Sequence, residues 1–262
     1  MSIEEYNPWW ETGSIDRELL SYKKRSLFYT LKEGLDRRRI DVIIGLRRVG
    51  KTVLMQQLIG HLLNRNVNPK EIFYFSFDLE RKDLVGIIKR YEERVLKDRL
   101  RDRRVFLFLD EVHKLEGWAD RVKAIYDLNP KVKLILSASL NLMKGVGESL
   151  AGRAKFHHLP PLTFREFLEL SGVRVPEEGD YWINKRRLDI LLGKFRGFPE
   201  TLGMSERETK EYVMEMVVER IIYRDIPESF RVEDVEIIRL LSRYICLLYT
   251  SDAADEGLGV DL

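Results

Sequence analysis

Gly45-Leu46-Arg47-Arg48-Val49-Gly50-Lys51-Thr52 decides the fold, because it fits G-x-x-x-x-G-K-[ST] and both of its flanks suit that pattern. Ile40-Asp41-Val42-Ile43-Ile44 before it reads as a short buried strand, and Val53, Leu54, Leu58, Ile59, Leu62 and Leu63 after it recur at helical spacing. A strand, a glycine-containing turn and a helix start aim unpaired backbone N–H groups at one point, where the helix dipole favours an anion. The expectation is a phosphate-binding loop. Gly45 and Gly50 supply backbone freedom and close approach, Lys51 reaches the β- and γ-phosphates, and the Thr52 hydroxyl ligates Mg²⁺. Leu46, Arg47, Arg48 and Val49 complete the cradle, Val53 follows in the first helical turn, and the two arginines add local positive field.

Downstream, Ile72-Phe73-Tyr74-Phe75-Ser76-Phe77-Asp78 reads as a second strand and a charged helix is expected over 83–100. Val105-Phe106-Leu107-Phe108-Leu109-Asp110-Glu111 is then a buried strand ending in two acids, 59 and 60 residues after Lys51. An aspartate there supports Mg²⁺ and an adjacent glutamate orients and deprotonates an attacking water, which assigns Asp110 to the metal and Glu111 to general-base work. A fourth strand, Val132–Leu136, ends in Ser137-Ala138-Ser139, and a polar tip between the first and third strands would face a γ-phosphate. Ser137 is the candidate sensor and Ser139 the second choice. Lys144–Arg153 is a glycine-containing loop whose Arg153 can serve as an arginine finger, in its own subunit or a neighbour's. Lys155-Phe156-His157-His158-Leu159 fits a fifth strand, and adjacent histidines on a strand point to opposite faces, which argues against a shared metal.

Over 262 residues, 44% hydrophobic and 34% charged side chains describe a globular chain. It has no apolar run of membrane-spanning length and no signal-peptide start, so a cytoplasmic protein without membrane partners is expected. The formal charge of +2 conceals an asymmetry: after residue 245 there are four acids and no Lys or Arg, leaving +6 on the first 245. The cations are scattered among acids, which permits nucleic-acid contact without demanding it. Cys246 is the single cysteine. It opens Cys246-Leu247-Leu248-Tyr249-Thr250-Ser251-Asp252-Ala253-Ala254-Asp255-Glu256, which looks like a translated sequencing adapter, so 246–262 is set aside and the natural sequence is expected to diverge near Ile245. The organisation expected is an N-terminal arm and basic helix (1–38, helix over 22–38), an α/β nucleotide domain (39–171), and a helical subdomain (172–245) ending at the start of an interrupted segment.

Several stretches taken jointly carry a family resemblance: Tyr6-Asn7-Pro8-Trp9-Trp10, Gly45–Thr52, Leu109-Asp110-Glu111-Val112 with Gly117-Trp118, Ser149-Leu150-Ala151-Gly152-Arg153, Pro161–Phe167, Gly197-Phe198-Pro199-Glu200 and Tyr223-Arg224-Asp225-Ile226-Pro227. The chain resembles prokaryotic, especially archaeal, AAA-type P-loop ATPases in which the ATPase domain precedes a winged-helix segment and a C-terminal domain of unknown function. That resemblance implies a three-layer αβα sandwich with a parallel five-stranded sheet in the order 5-1-4-3-2. It also implies ATP, hydrolysed with Mg²⁺ and coupled to conformational change, and it leaves homo-oligomers and a DNA or protein partner of the C-terminal region open. The alternative is a nucleotide-dependent switch or DNA-binding module with little turnover. Ser137-Ala138-Ser139 departs from the related Thr-Gly-Ser, and Arg153 matches a small-residue-Gly-Arg position.

Overall fold

The computed structural model describes residues 2–78, 83–139, 149–174, 181–227, 232 and 234–256, leaving aside the side chains of 181–184 and 246–256. The chain divides into two compact units, Met1–Gly203 and Met204–Leu262.

In the first unit five parallel strands form one sheet in the order β2-β3-β4-β1-β5: β1 Ile40–Gly45, β2 Ile72–Ser76, β3 Phe106–Asp110, β4 Lys133–Ser139 and β5 Ala154–His158. This is the strand order, 5-1-4-3-2 from the other edge, that the family resemblance implies. Parallel strands covered on both faces must be apolar throughout, and β1 is buried at all six positions. On one face Val42, Phe75, Leu107 and Leu136 pack with Leu84 and Ile87 of α5 (Leu84–Tyr91) and Val122 of α6 (Trp118–Leu128). Alternation turns Ile43, Phe108 and Ile135 to the other face, where α4 (Lys51–Asn64) packs with α2 (Arg17–Ser21) and α3 (Ser26–Gly34). β4 lies between β1 and β3, so the loop after β1 and the acids ending β3 share one rim.

The N-terminal arm protects the open edge of β2. The side chain of Asn7 accepts from the Tyr74 N–H (2.6 Å) and donates to the Tyr74 carbonyl (2.9 Å), and both indoles of α1 (Trp9–Thr12), Trp9 and Trp10, donate to the Ile72 carbonyl. The helix expected over 22–38 is instead broken: Tyr22 is extended after α2 and Arg25 is extended before α3. The break aims Arg25 inward, to partners described below. The charged helix keeps α-geometry only to Tyr91, passes through a π-type turn at Glu92–Leu96, and stops at left-handed Lys97. Strand β4 extends three residues past the expected Leu136. His157 is buried against Asp41 (2.7 Å) while His158 is exposed, and no group of metal-binding type occurs among the described residues. Of the loop expected over 144–153, residues 144–148 lie outside the described residues.

The helix Phe164–Leu170 begins with a capping box between Thr163 and Glu166, and its Phe167 and Leu168 form a small separate core with Leu188 of the helix Tyr181–Lys194. In the second unit, a capping box between Ser205 and Glu208 starts the helix Glu206–Tyr212, which continues through π-type turns at Val213–Val218 and Ile221–Asp225. The last helix is Val235–Glu256, so the backbone helix runs on beyond Ile245 into the adapter-like stretch. No helix among the described residues is long and apolar enough to cross a membrane.

Candidate nucleotide site

The site forms where β1, β3 and β4 end. A Cβ at Gly45 would stand 2.4 Å from the Leu159 carbonyl oxygen, so the close passage of the loop under β5 requires glycine there. Gly50 is left-handed (φ +94°) and caps α4, the turn that sends the helix back along the sheet. Arg48 is also left-handed (φ +64°) and its guanidinium stands 3.8 Å from Glu200. Gly197-Phe198-Pro199-Glu200 is therefore laid along the outer side of the loop, anchored by the Leu162 N–H to the Gly197 carbonyl (2.6 Å).

Lys51 is buried, 5% exposed, and donates to the Gly45 and Leu46 carbonyls (3.1 and 3.0 Å), with Glu111 Oε1 3.6 Å away. The Thr52 hydroxyl donates to Asp110 Oδ2 (2.7 Å), which also accepts from the Tyr74 hydroxyl (2.9 Å). Its own burial, and then the Asp110 charge, push the Tyr74 phenol well above its ordinary range, keeping it a donor. Glu111 sits in a left-handed conformation (φ 54°, ψ 38°), an uncommon strain for a non-glycine residue at the strand end. Burial pushes its carboxyl above the usual glutamate range, opposed by Lys51 and Arg47 and reinforced by the Asp110 charge. A basic carboxylate beside a retained lysine is chemistry suited to taking a proton.

The sequence did not single out His113. Its Nδ1 accepts from the Ser139 N–H (3.2 Å), which places the ring proton on Nε2, 3.5 Å from Glu111 Oε2. The ring thus ties the tip of β4 to the carboxylate; the signal available was the imidazole two residues beyond the acid pair. Arg25 was missed as well. Its guanidinium donates to the Val49 carbonyl inside the loop (3.1 Å), the Pro160 carbonyl (2.9 Å) and both oxygens of Glu166 (3.2 and 2.6 Å). That pairing holds the Glu166 carboxyl down at about 2.

The geometry narrows two sequence assignments. Ser137 is fully buried, and its hydroxyl donates to Asp110 Oδ1 while accepting from the Glu111 N–H (2.9 Å). It braces the two acids from below instead of facing a phosphate, because it lies level with Ile43 of β1, two residues short of the tip. Ser139, paired with Gly45, is the serine at the rim. Arg153 directly precedes β5, at the end of the sheet opposite the loop, and pairs with Asp127 (2.8 Å). Five strand residues at about 3.3 Å each separate it from that rim, so it does not reach the site of its own subunit.

The AAA domain family matches residues 37–168, half of the chain, covering the loop, both acids and the whole sheet. An uncharacterized protein of Methanocaldococcus jannaschii, MJ1544, is 29% identical over 219 residues, which are 82% of this chain and 48% of that protein. An uncharacterized protein of Haemophilus influenzae is 26% identical over 207 residues, 76% of this chain and 49% of its own length. The chain therefore spans about half the length of these curated relatives. Among solved structures, the Walker-type ATPase PABY2304 of Pyrococcus abyssi is similar at a TM-score of 0.45 and 15% identity, over 85% of this chain and 76% of that one. With its phosphate-loop pattern and β2-β3-β4-β1-β5 sheet, the chain belongs to the AAA domain family of P-loop ATPases.

Proposed function

We propose that the chain binds ATP with Mg²⁺ and hydrolyses it. The observation that carries this reading is the meeting at one rim of Lys51, Thr52, Asp110 and Glu111, linked by the Thr52–Asp110 hydrogen bond and the 3.6 Å approach of Lys51 to Glu111. The residues fit the ligands: Gly50 leaves the loop backbone open where the helix starts, and a buried ammonium retained on two carbonyls can be re-aimed at an anion. Thr52 and Asp110 would hold Mg²⁺, which when bound neutralises charge on the β- and γ-phosphates. Glu111 would orient and deprotonate the attacking water, with His113 and the Ser137 hydroxyl fixing its carboxylate and backbone. Lys51 would stabilise charge on the γ-phosphate. Loss of Lys51 Nζ removes a charge-assisted contact worth about 1.5–3 kcal/mol. Lys51→Ala is accordingly expected to weaken ATP affinity about 10- to 100-fold, measured by titration calorimetry, and to abolish Mg²⁺-dependent phosphate release. Wild-type protein that binds ATP but releases no phosphate would favour the switch reading.

Arg153 faces away from its own site, so any finger role belongs to a neighbouring copy of a homo-oligomer. Turnover per subunit should then rise with protein concentration, and Arg153→Ala should hold it at the dilute value; a concentration-independent rate refutes the assignment. Coupling to conformational change, and choice of a DNA or protein partner, are assigned to the further length present in the relatives. The cytoplasm is the proposed compartment.

A further inference from the structure

In sequence the cations look dispersed, but the topology gathers them. Every strand of the parallel sheet starts at the same edge, so the segments leading into β1, β3, β4 and β5 emerge side by side. Two of them, 36–39 and 97–104, hold eight Lys and Arg against three Asp in twelve residues. They touch: Arg104 Nη2 stands 2.5 Å from Asp36 Oδ1 although the segments belong to strands separated by β4. Lys131, before β4, donates to the Asp102 carbonyl (3.0 Å) and joins the same surface.

The three acids are already held within it. Asp36 is gripped by Arg65 and Arg104, Asp98 by Arg103 (2.7 Å), and Asp102 by Arg101 (3.6 Å). Arg37, Lys97 and Arg99 are exposed and make no ion pair among the described residues. What faces solvent is thus a guanidinium-rich stripe with its carboxylates internally compensated, at the opposite end of the strands from the nucleotide site.

We propose that this strand-start edge docks the phosphodiester backbone of double-stranded nucleic acid, without reading its sequence. Guanidinium groups match phosphate oxygens bidentately and are weakly hydrated, which favours them over ammonium groups for this task. The basic segments lie over β3, β4 and β1, about 10 Å across at about 4.8 Å between strands, and with the reach of the arginine side chains on both sides they suit about four phosphates of one strand at 3.4 Å of rise. About one strand length, close to 17 Å, separates this edge from the loop, so polyanion and ATP do not compete.

The test is fluorescence anisotropy of a labelled random-sequence 30-bp duplex with the full chain between 50 and 200 mM salt. The wild type should bind with log K falling against log salt at a slope of about −4, and excess Mg·ATP should not displace the duplex. Arg37→Ala/Lys97→Asn/Arg99→Ala removes the three exposed side chains that make no ion pair among the described residues, with asparagine suited to the left-handed backbone at 97, so its melting temperature should match wild type. Its duplex affinity at 50 mM salt should fall at least about tenfold and its slope should shrink by about 3. Absence of wild-type binding at 50 mM, an unchanged slope in the triple variant, or displacement by Mg·ATP overturns the proposal. So does a triple variant that loses binding to phosphatidylserine vesicles while keeping the duplex, which would make the edge a membrane contact. None of these readouts depends on ATP hydrolysis, so the outcome is independent of the assignment of Glu111.

Discussion

Glu111→Gln is expected to lower ATP turnover by about 10²- to 10⁴-fold while leaving ATP affinity within about twofold. The amide has the volume of the carboxylate and can still accept from Lys51, whose ammonium lies 3.6 Å away, so the pocket keeps its shape. It cannot take a proton from water. The left-handed backbone at position 111 constrains glutamine no more than glutamate, and Ser137 still accepts from the N–H there. The variant therefore separates binding from chemistry. Phosphate release at saturating ATP and Mg²⁺, beside calorimetric ATP affinity, provides the measurement. A variant turning over within threefold of wild type would show that Glu111 is not the base. A variant that no longer binds ATP would move Glu111 from chemistry to the architecture of the pocket.

The parts legible in the sequence are those written in local pattern. Parallel strands buried on both faces read as apolar runs such as Val105–Leu109, and the phosphate loop needs glycines and a lysine at fixed offsets, so β1, β3, Gly45–Thr52 and the acid pair could be placed without coordinates. What was not legible depends on which residues distant segments bring level. Whether Ser137 or Ser139 meets the rim is a matter of register between β4 and β1, fixed by the Ser139–Gly45 pairing. The side on which Arg153 falls follows from its place just before a strand whose far end meets the loop. The basic amphipathic pattern favours a continuous helix through Tyr22–Arg25, whereas the buried bonds of Arg25 to a segment about 140 residues away break it. Local preference yields there to a tertiary contact. The basic edge is illegible in the sequence for the same reason, since the two arginine-rich segments lie far apart along the chain and meet through sheet order alone.

Arg25→Ala is expected to destabilise the first unit by about 3–5 kcal/mol, the cost of removing one partner from a buried ion pair. Arg25 is 8% exposed and is the cation that holds both oxygens of Glu166, itself 8% exposed, while also satisfying the Val49 and Pro160 carbonyls. Its removal strands a buried carboxylate and two carbonyls together. Urea denaturation at pH 7 reads the loss, and a deficit under about 1 kcal/mol would mean that the pair behaves as an exposed one. The pH dependence carries a sign. The carboxyl of Glu166 is held at about 2 against an ordinary 4.5, so its contribution to wild-type stability is complete above pH 4.5 and is lost as pH falls toward 2. Without Arg25, burial raises the Glu166 pKa against only the hydrogen bonds from Thr163 and Ser26, so in the variant the carboxyl protonates at a higher pH than in wild type and relieves its own desolvation cost. The gap between wild type and Arg25→Ala should therefore be widest at neutral pH and narrow as pH falls toward 3. Because the same guanidinium grips the Val49 carbonyl, ATP affinity should weaken along with stability. Arg25→Met/Glu166→Met should restore much of the stability, since no buried charge is then left alone, but not the grip on Val49. Stability restored with affinity still weakened would identify Arg25 as a positioning residue of the phosphate loop, whereas recovery of both would reduce it to a fold contact.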